Sequence, residues 1–519
     1  MLHSASARRT ASSRPASPVR LASPASSVRS AGGGWRWLAF AAVITAAVMD
    51  LMDSTIAQVA APAIRNNLGG SYAVIEWITA AYTLAMAVGL LTGGRLGDLF
   101  GRKRMLLTGV AGFVVASAAC AAATSPGELI AARAGQGLVG ALMLPQVFGL
   151  IRDLFAAEEM GKAFGVYGPV MGLSAMLGPI ASGGLISLNL LGSGWRMIFL
   201  VNVPVGIAAL VVGARLLPDT AARQLRGSLD LPGVALAGAA MFLLVFPLAQ
   251  GHELGWPGWL DALLAGSVLV LAGFARYQVR RRRAGATPLV ETGIFRHRSY
   301  TSGVVFSLVF VGSMGGIVLA FNVVLQVGLG FTPWHSAITT APWAAGAFIG
   351  SAISGTTMGK LGRRVLHAGL VAEAAGLLGQ YLVFHLAGAG VSTLDLLGPM
   401  VIGGIGMGMV FVPLFDIIMA GVAPHEMGSA SGVLQSVNSL AMALGVAGIG
   451  AIFFALLGPA RTPQAFVHPA EWTELVTVAL LGLAFITAFW LPKRAREAGP
   501  AAAPAKPADV TAPALADAA

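Results

Sequence analysis

Charged side chains inside long apolar stretches are the residues of this sequence best suited to chemistry. Asp50 and Asp53 lie three residues apart in the first apolar stretch. Glu373 and Asp416 lie in two later stretches, and Arg133 is the one cation well inside any of them. A charge at the centre of a bilayer costs about 2.5–3.5 kcal/mol on insertion scales, so these five residues are candidates for a functional site.

The chemistry that these residues offer is reversible proton binding. Asp50 and Asp53 share one helix face, because residues three apart are neighbours on a helix. Desolvation and mutual repulsion favour the protonated form of at least one of them. We predict that Asp53 couples proton and cationic substrate, with Asp50 acting likewise or tuning Asp53. Arg133 is expected to neutralise a carboxylate in one state and to release it in another, or to form a structural pair.

The other two acids have open interpretations. Asp416 is predicted to bind a proton or to pair with a basic residue. Glu373 is predicted to take part in coupling or to face a polar pocket between helices.

The stretches that carry these residues must be membrane-spanning helices. Of 519 residues, 56% are apolar and 11% are charged, against about 25% charged in soluble proteins. This composition excludes a soluble enzyme, a disordered chain and a coiled coil, and the long runs argue against a barrel. Backbone groups in lipid must bond within the segment, so we predict an all-α polytopic membrane protein. Fourteen runs are predicted, at 37–60, 72–94, 104–123, 127–151, 163–190, 197–217, 231–250, 257–277, 301–328, 336–358, 364–388, 396–420, 429–457 and 473–492.

The positions of the basic residues predict the topology. With a cytoplasmic N-terminus and fourteen spans, 29 of the 33 Lys and Arg residues fall on the cytoplasmic side. Only Arg65, Arg196 and Arg461 fall outside, and Arg133 lies within a run. Basic loops mark the cytoplasmic side, so both termini are predicted to be cytoplasmic. The formal charge of +11 is then a topology signal and does not indicate nucleic-acid binding.

The runs group into six predicted regions. Ser, Ala, Pro and Arg dominate the first region, which has no acidic residue, and Ala and Pro dominate the last. The regions are a disordered basic tail (1–35), a six-helix bundle (36–217), two inserted helices (230–277), a basic cytoplasmic loop (278–300), a second six-helix bundle (301–492) and a disordered C-terminal tail (493–519).

A glycine-rich basic loop follows the second run and has the composition of a conformational latch. It contains Gly94, Asp98, Gly101, Arg102 and Lys103. Glycines permit a tight turn and close helix approach, and an acid at a helix end among cations can hold one cytoplasmic conformation. We call these five residues the cytoplasmic latch motif. A weaker copy at 355–364 lacks the acid, as expected if an internal duplication kept only one working latch.

These strings resemble those of the major facilitator superfamily. The latch motif is similar to its G-x-L-x-D-x-x-G-R-K/R signature, and 133–137 resembles its R-x-x-Q-G segment. Residues 195–204 are similar to the W-R-x-I-F-x-x-N-x-P string of the fourteen-helix branch, and 53–62 resembles the D-x-T-I-V-N-V-A-L-P string of that branch, with Gln58 in place of Asn. The fifth run resembles the exporter motif G-x8-G-x3-G-P-x2-G-G, with Ser174 and Ser182 replacing two glycines. Its matching residues are Gly165, Gly178, Pro179 and Gly183.

The resemblance implies a fourteen-helix drug:proton antiporter, a multidrug efflux protein with alternating access between two bundles. The alternative on the same fold is a uniporter or proton symporter of a small metabolite. An enzyme is disfavoured, because no H-E-x-x-H, G-x-S-x-G or Walker A string is present. We expect no cofactor other than the coupling proton, no metal, an amphipathic small-molecule substrate, no nucleic acid, a monomer, and a multi-pass location in a bacterial plasma membrane.

Several residues are candidates for a substrate cavity, although plain packing is the favoured interpretation of each. Aromatic and amide side chains suit amphipathic cations. The histidines at 252, 335 and 425 are expected in loops and show no metal-ligand spacing. The cavity candidates are Trp77, Tyr82, Phe321, Gln326, Gln435 and Asn438.

Overall fold

A computed structural model describes most of the chain. It covers residues 34–156, 159–189, 192–219, 230–286, 288–290, 293–419, 422, 427–458 and 462–492. The predicted terminal tails therefore lie almost wholly outside the described residues. So do the side chains of Asp98 and Asp416 and the surroundings of Gly165, although their backbones lie in described helices.

In the described residues, fourteen long helical segments, α1 to α14, fall on the predicted runs. They form where the sequence is apolar, because a helix bonds its own backbone groups. No strand occurs within the residues described. The segments are α1 Gly34–Leu68, α2 Ala73–Phe100, α3 Arg102–Ala122, α4 Pro126–Leu154, α5 Met160–Leu188, α6 Asn202–Leu216 (preceded by the short turns Gly194–Arg196 and Met197–Leu200), α7 Leu231–Leu254, α8 Gly258–Arg283, α9 Arg298–Val323 (continued by Val324–Gly328), α10 Pro333–Leu361, α11 Arg364–Ala387, α12 Thr393–Met419, α13 Met427–Leu457 and α14 Val467–Ala488 (preceded by Pro463–Phe466).

Length and composition qualify twelve of these segments as membrane spans in the described part of the chain. The other two, α5 and α10, have 29 residues each. The described residues thus form an all-helical membrane architecture.

Helix boundaries differ from the predicted ones in ways that matter for the site. The first helix has 35 residues and runs on to Leu68, so Asp50 and Asp53 lie near its middle. His252 and His335 were expected in loops, but they lie in the last turn of α7 and the first turn of α10. His425 lies outside the described residues. Polar residues at helix ends shorten an apolar run without shortening the helix.

The helices pack as two six-helix units, α1–α6 and α9–α14. Within the first unit, α4 packs against both α2 and α3, and α1 packs against both α5 and α6. Within the second unit, α12 packs against both α10 and α11, and α9 packs against α13. The units meet where α2 contacts α13 and α5 contacts α10. Helices α7 and α8 pair with each other, and α7 also contacts both α2 and α13. The inserted pair therefore covers the α2–α13 seam.

Close helix approach depends on glycine at the contacts. A Cβ at Gly137 of α4 would collide with the backbone carbonyl of Tyr82 in α2, and one at Gly404 of α12 would collide with that of Trp343 in α10. Small residues let membrane helices approach to backbone contact. We call the end at which α1 ends and α2 begins the outer end. There a single apolar cluster, which includes Ile75 and Phe453, joins the two units.

A carboxylate fixes the opposite end of the inserted pair. Asp230 precedes α7 and accepts hydrogen bonds from Gln278 Nε2 (2.9 Å), Tyr277 Oη (2.8 Å) and the Gly233 amide (3.1 Å). Burial by itself would raise the pKa of Asp230, but these hydrogen bonds and the charge of Arg281 hold it below its usual value. The interaction ties the start of α7 to the basic end of α8.

Candidate functional site

A buried carboxylate network occupies the middle of the first six-helix unit. Asp53 on α1 is 2% exposed, and its Oδ2 forms an ion pair with Nη1 of Arg133 on α4. The other oxygen, Oδ1, accepts hydrogen bonds from Gln136 Nε2 (2.9 Å) and Asn202 Nδ2 (2.8 Å). Hydrogen bonds to an ionised acceptor are the strong ones. The arrangement is therefore built around Asp53 as a carboxylate.

The guanidinium of Arg133 is fully buried and almost fully engaged. Its Nη1 also donates to Gln136 Oε1 (2.7 Å), and its Nε donates to the carbonyl of Ile78 (3.0 Å). The Tyr82 ring lies 4.2 Å below the guanidinium carbon, in cation–π geometry. The Nη2 of Arg133 has no hydrogen-bond partner. A planar cation with several fixed donors suits a buried carboxylate better than a lysine would.

Two further groups orient the amides of this network. Gln136 Nε2 also donates to Ser117 Oγ on α3 (2.9 Å), and the Cys120 thiol lies 3.6 Å from Gln136 Oε1. Asn202 Nδ2 also lies 3.4 Å from Ser117 Oγ. Gln136 thus has partners on both its oxygen and its nitrogen, whereas Asn202 meets Asp53 and Ser117 through its nitrogen. We call Asp53, Arg133, Gln136, Asn202 and Ser117 the Asp53 network; its members come from α1, α3, α4 and α6.

Asp50 lies beside this network but bonds to a different partner. The Tyr82 hydroxyl donates to Asp50 Oδ1 at 2.5 Å, and both side chains are buried. Gly140 on α4 leaves room for the carboxyl, since a Cβ there would lie 2.8 Å from Asp50 Oδ1. Tyr82 therefore links the two predicted acids: its hydroxyl holds Asp50, and its ring supports Arg133, which holds Asp53.

The structure does not bring the remaining acids to this place. Glu373 lies on α11 against Gly406 of α12, in the second unit, with both carboxyl oxygens buried and without hydrogen-bond partners. Asp416 belongs to α12.

The cytoplasmic latch motif lies at the α2–α3 turn. Gly101 has φ +93° and ends α2, so only glycine is comfortable there. Arg102 Nη1 pairs with Asp153 at the end of α4 (3.3 Å) and Lys103 Nζ with Asp219 after α6 (3.1 Å). Gly94 faces Pro145 of α4.

The exporter-like glycines lie where α5 meets its neighbours. A Cβ at Gly178 would collide with Thr55 Oγ1 of α1, and one at Gly183 would lie 2.6 Å from the Pro333 carbonyl of α10. Ser182, which replaces a glycine of the motif, donates to the carbonyl of Ile56 (3.1 Å). Pro179 lies in the same stretch of α5. This face of α5 therefore bridges α1 and the second unit.

Two of the predicted cavity residues, Trp77 and Phe321, pack against other aromatic rings. Trp77 lies among phenylalanines of α7, with ring centroids 6.1 Å apart for Phe246. Phe321 contacts Phe384 edge-on at 6.2 Å, and Gln326 Nε2 donates to the Val59 carbonyl at 2.7 Å. Gln435 and Asn438 are half-buried on α13, and Asn438 Oδ1 has no hydrogen-bond partner.

Sequence reasoning overlooked several site residues. Gln136 and Asn202 stood in the motif strings but carry no charge to single them out, and Ser117 gave no signal. Two buried acids, Glu76 on α2 and Glu474 on α14, lie within about one turn of the start of an apolar run, where an acid is expected to mark a helix end. An acid at i+4 from a run's start is already inside the helix, and this spacing is the signal that would have found them.

Comparisons with known proteins place the chain in a family. The sequence model of the Major Facilitator Superfamily matches residues 43–446. The probable actinorhodin transporter of Streptomyces coelicolor is 44% identical over 428 residues, which are 82% of this chain and 74% of the relative. The tetracenomycin C resistance and export protein of Streptomyces glaucescens is 35% identical, covering 87% and 80%. The multidrug efflux pump LfrA of Mycolicibacterium smegmatis is 30% identical, covering 81% of each.

Solved structures share the fold. A bacterial homologue of the human lysosomal transporter Spinster superposes with a TM-score of 0.63 at 17% identity, covering 89% of this chain and 98% of that one. The xylose transporter XylE of E. coli gives a TM-score of 0.55 at 13% identity, covering 88% and 99%. At sequence identities this low, the similarity establishes the fold alone.

The chain belongs to the major facilitator superfamily, as the motif resemblance predicted. Its relatives place it in the drug-efflux branch, among antibiotic and multidrug transporters. It is a multi-pass protein of a bacterial plasma membrane.

Proposed function

We propose that this chain is a proton-coupled antiporter that exports amphipathic antibiotics by alternating access. The Asp53–Arg133 ion pair, fully buried at mid-bundle, is the observation that carries the proposal. Buried charges inside a membrane are rare and mark ion pathways and proton relays. The names of the relatives, which include tetracenomycin C resistance and puromycin resistance proteins, support antibiotics as the substrate class.

The coupling step is the exchange of a proton on Asp53. A proton on the carboxylate cancels the charge that holds Arg133 and removes an acceptor from Gln136 or Asn202. Arg133 then keeps only neutral acceptors, Gln136 Oε1 and the Ile78 carbonyl, while its Nη2 has no partner. A buried uncompensated charge is strongly unfavourable, so the helices that carry it must rearrange. A movement of Arg133 also affects Asp50, because Tyr82 contacts both residues.

The finer architecture belongs to the same proposal. All fourteen long helices cross the membrane, and both termini are cytoplasmic, in keeping with the 29 of 33 basic residues on that side. Helices α1–α6 and α9–α14 are the two moving bundles, with α7 and α8 inserted between them. The protein acts as a monomer on a small-molecule substrate, performs no enzymatic reaction and needs no cofactor besides the proton.

Transport by purified protein in liposomes tests the proposal. With an imposed pH gradient, the wild type should accumulate ethidium, an amphipathic cation, or puromycin, and nigericin should abolish the accumulation by collapsing the gradient. Asp53→Asn removes the exchangeable proton while keeping shape, so it should lose gradient-driven accumulation.

Asp395→Asn is the matched control, because Asp395 is an exposed acid at the start of α12, far along the chain from the network. It should accumulate substrate like the wild type. Accumulation that persists in Asp53→Asn, or that ignores nigericin in the wild type, would reject proton coupling at Asp53 and favour a uniporter.

A further inference from the structure

A second buried acid lies at the outer end, away from the Asp53 network. Glu76 is in the first turn of α2 and is fully buried, with both carboxyl oxygens lacking a hydrogen-bond partner. Its carboxyl lies over Gly450 of α13, where a Cβ would come within 2.7 Å of Glu76 Oε1. Because α2 and α13 belong to different six-helix units, Glu76 is buried by the seam between the units.

The inserted helix α7 closes the same place from the side. His252 stacks on Phe454 of α13 with ring centroids 5.4 Å apart, and neither of its ring nitrogens has a hydrogen-bond partner. Glu253 accepts from the Ala73 amide (2.9 Å) and lies 3.8 Å from His252 Nε2. Phe454 also contacts Tyr72 at 4.8 Å.

The charged and titratable groups around Glu76 are few. From α7 they are Glu253 and His252. At the same end, Arg65 lies in the last turn of α1, with its guanidinium 3.8 Å over the Tyr72 ring. On α4, Glu128 lies in the first turn and accepts from Thr124, and Arg133 forms the ion pair with Asp53. Helix α13 has no charged or titratable residue between 427 and 457. In the described residues, then, no cation is bonded to the Glu76 carboxyl.

We propose that Glu76 is a second proton-binding site, and that its proton holds the outer ends of the two units together. An ionised carboxylate buried without a partner is strongly unfavourable, whereas a neutral carboxyl is far less so. The seam therefore closes over the protonated form. When α2 and α13 separate at the outer end, water reaches the carboxyl and the proton can leave.

The direction of the effect follows from linkage. The closed seam binds one more proton at Glu76 than the open seam, so acid favours the closed form and alkali favours the open form. For one proton the ratio of closed to open molecules changes by up to about tenfold per pH unit. This inference rests on the alternating access proposed above, but not on the Asp53 network.

Distances between spin labels at the outer end test the proposal. Asn66, exposed at the end of α1, and Leu394, 79% exposed at the start of α12, are suitable for a cysteine pair. The native Cys120 is buried, and the unmutated chain serves as the labelling blank. In full-length protein in nanodiscs, double electron–electron resonance should show the short-distance population growing as the pH falls. Glu76→Gln mimics the neutral acid, so it should stay closed across the pH range.

Glu474→Gln is the matched control. Glu474 on α14 is also buried with both oxygens unpartnered, but α14 packs on α9, α11 and α13 of its own unit. This variant should keep the pH response. Glu76→Met replaces the Gln variant if that one folds poorly, since Met cannot titrate either.

A wild-type distance distribution that ignores pH, or a pH response that survives in Glu76→Gln or Glu76→Met, would overturn the proposal. The response should also persist in Asp53→Asn. Loss of proton-driven transport and loss of the Glu76 response are therefore separate results.

Discussion

The Asp53–Arg133 pair should contribute far more to stability than any other Asp–Arg contact in the first unit. In Arg133→Gln, Asp53 keeps only two neutral donors, at 2.9 and 2.8 Å, and stays buried. In Asp53→Asn, the guanidinium stays buried without a counter-charge. Breaking a buried pair from one side costs about 3–5 kcal/mol, because it leaves an uncompensated charge.

The double variant Asp53→Asn/Arg133→Gln removes both charges and should recover part of this loss. Contacting residues show coupling energies of up to about 3 kcal/mol, and we expect about 2–3 kcal/mol here. The free energy of unfolding can be measured by titration with sodium dodecyl sulfate in mixed micelles, for the wild type, the two single variants and the double variant.

The control pair is Arg102 with Asp153, also an Arg–Asp contact, at 3.3 Å but about one-third exposed. Its coupling energy should stay below about 1 kcal/mol, since solvent screens partly exposed pairs. Equal coupling energies for the buried and the exposed pair, or additive effects at Asp53 and Arg133, would refute the reasoning that the network is organised around a desolvated charge pair.

Three further predictions use the same unfolding assay. Asn202→Leu removes the 2.8 Å donor to Asp53 and should cost about 1.5–3 kcal/mol, as for hydrogen bonds to charged groups. Gly137→Ala drives a methyl group into the Tyr82 carbonyl and should cost about 1–3 kcal/mol. The folded pKa of Asp230 lies below 3.8, so the stability advantage of the wild type over Asp230→Asn should be complete at neutral pH and should vanish only as the pH falls through that lower pKa. An advantage already lost at mildly acid pH would contradict it.

Charge and hydropathy sufficed to predict the helices and the first members of the site. Asp53 and Arg133 stand out because an ion inside an apolar run is expensive, and the structure places them in contact. Asn202 and Ser117 did not stand out, because an amide or hydroxyl is common in membrane helices and its facing depends on how α3 and α6 are rotated. No single-sequence pattern fixes that rotation.

Glu76 was not predicted from the sequence for a different physical reason. A run of apolar residues marks where the helix is lipid-compatible, whereas burial at a seam between helices also covers polar residues of the first turn. The same reasoning explains His252, which lies in the last turn of α7 and is covered by α13. Residues at such seams become visible only once it is known which helices meet.

Contacts lead from the Asp53 network to the seam between the two units. The network lies wholly within the first unit, so a proton on Asp53 acts first on the packing of α1. Two residues further along α1, Thr55 lies against Gly178 of α5, and the Ile56 carbonyl accepts from Ser182. Adjacent to Ser182, Gly183 meets α10 of the second unit. A shift of α1 is therefore passed through α5 to the α5–α10 contact, whereas Glu76 acts directly on the α2–α13 contact. Both contacts lie at the outer end, where α5 ends and α10 begins, so the two proposed proton sites act on the same closure through different helices.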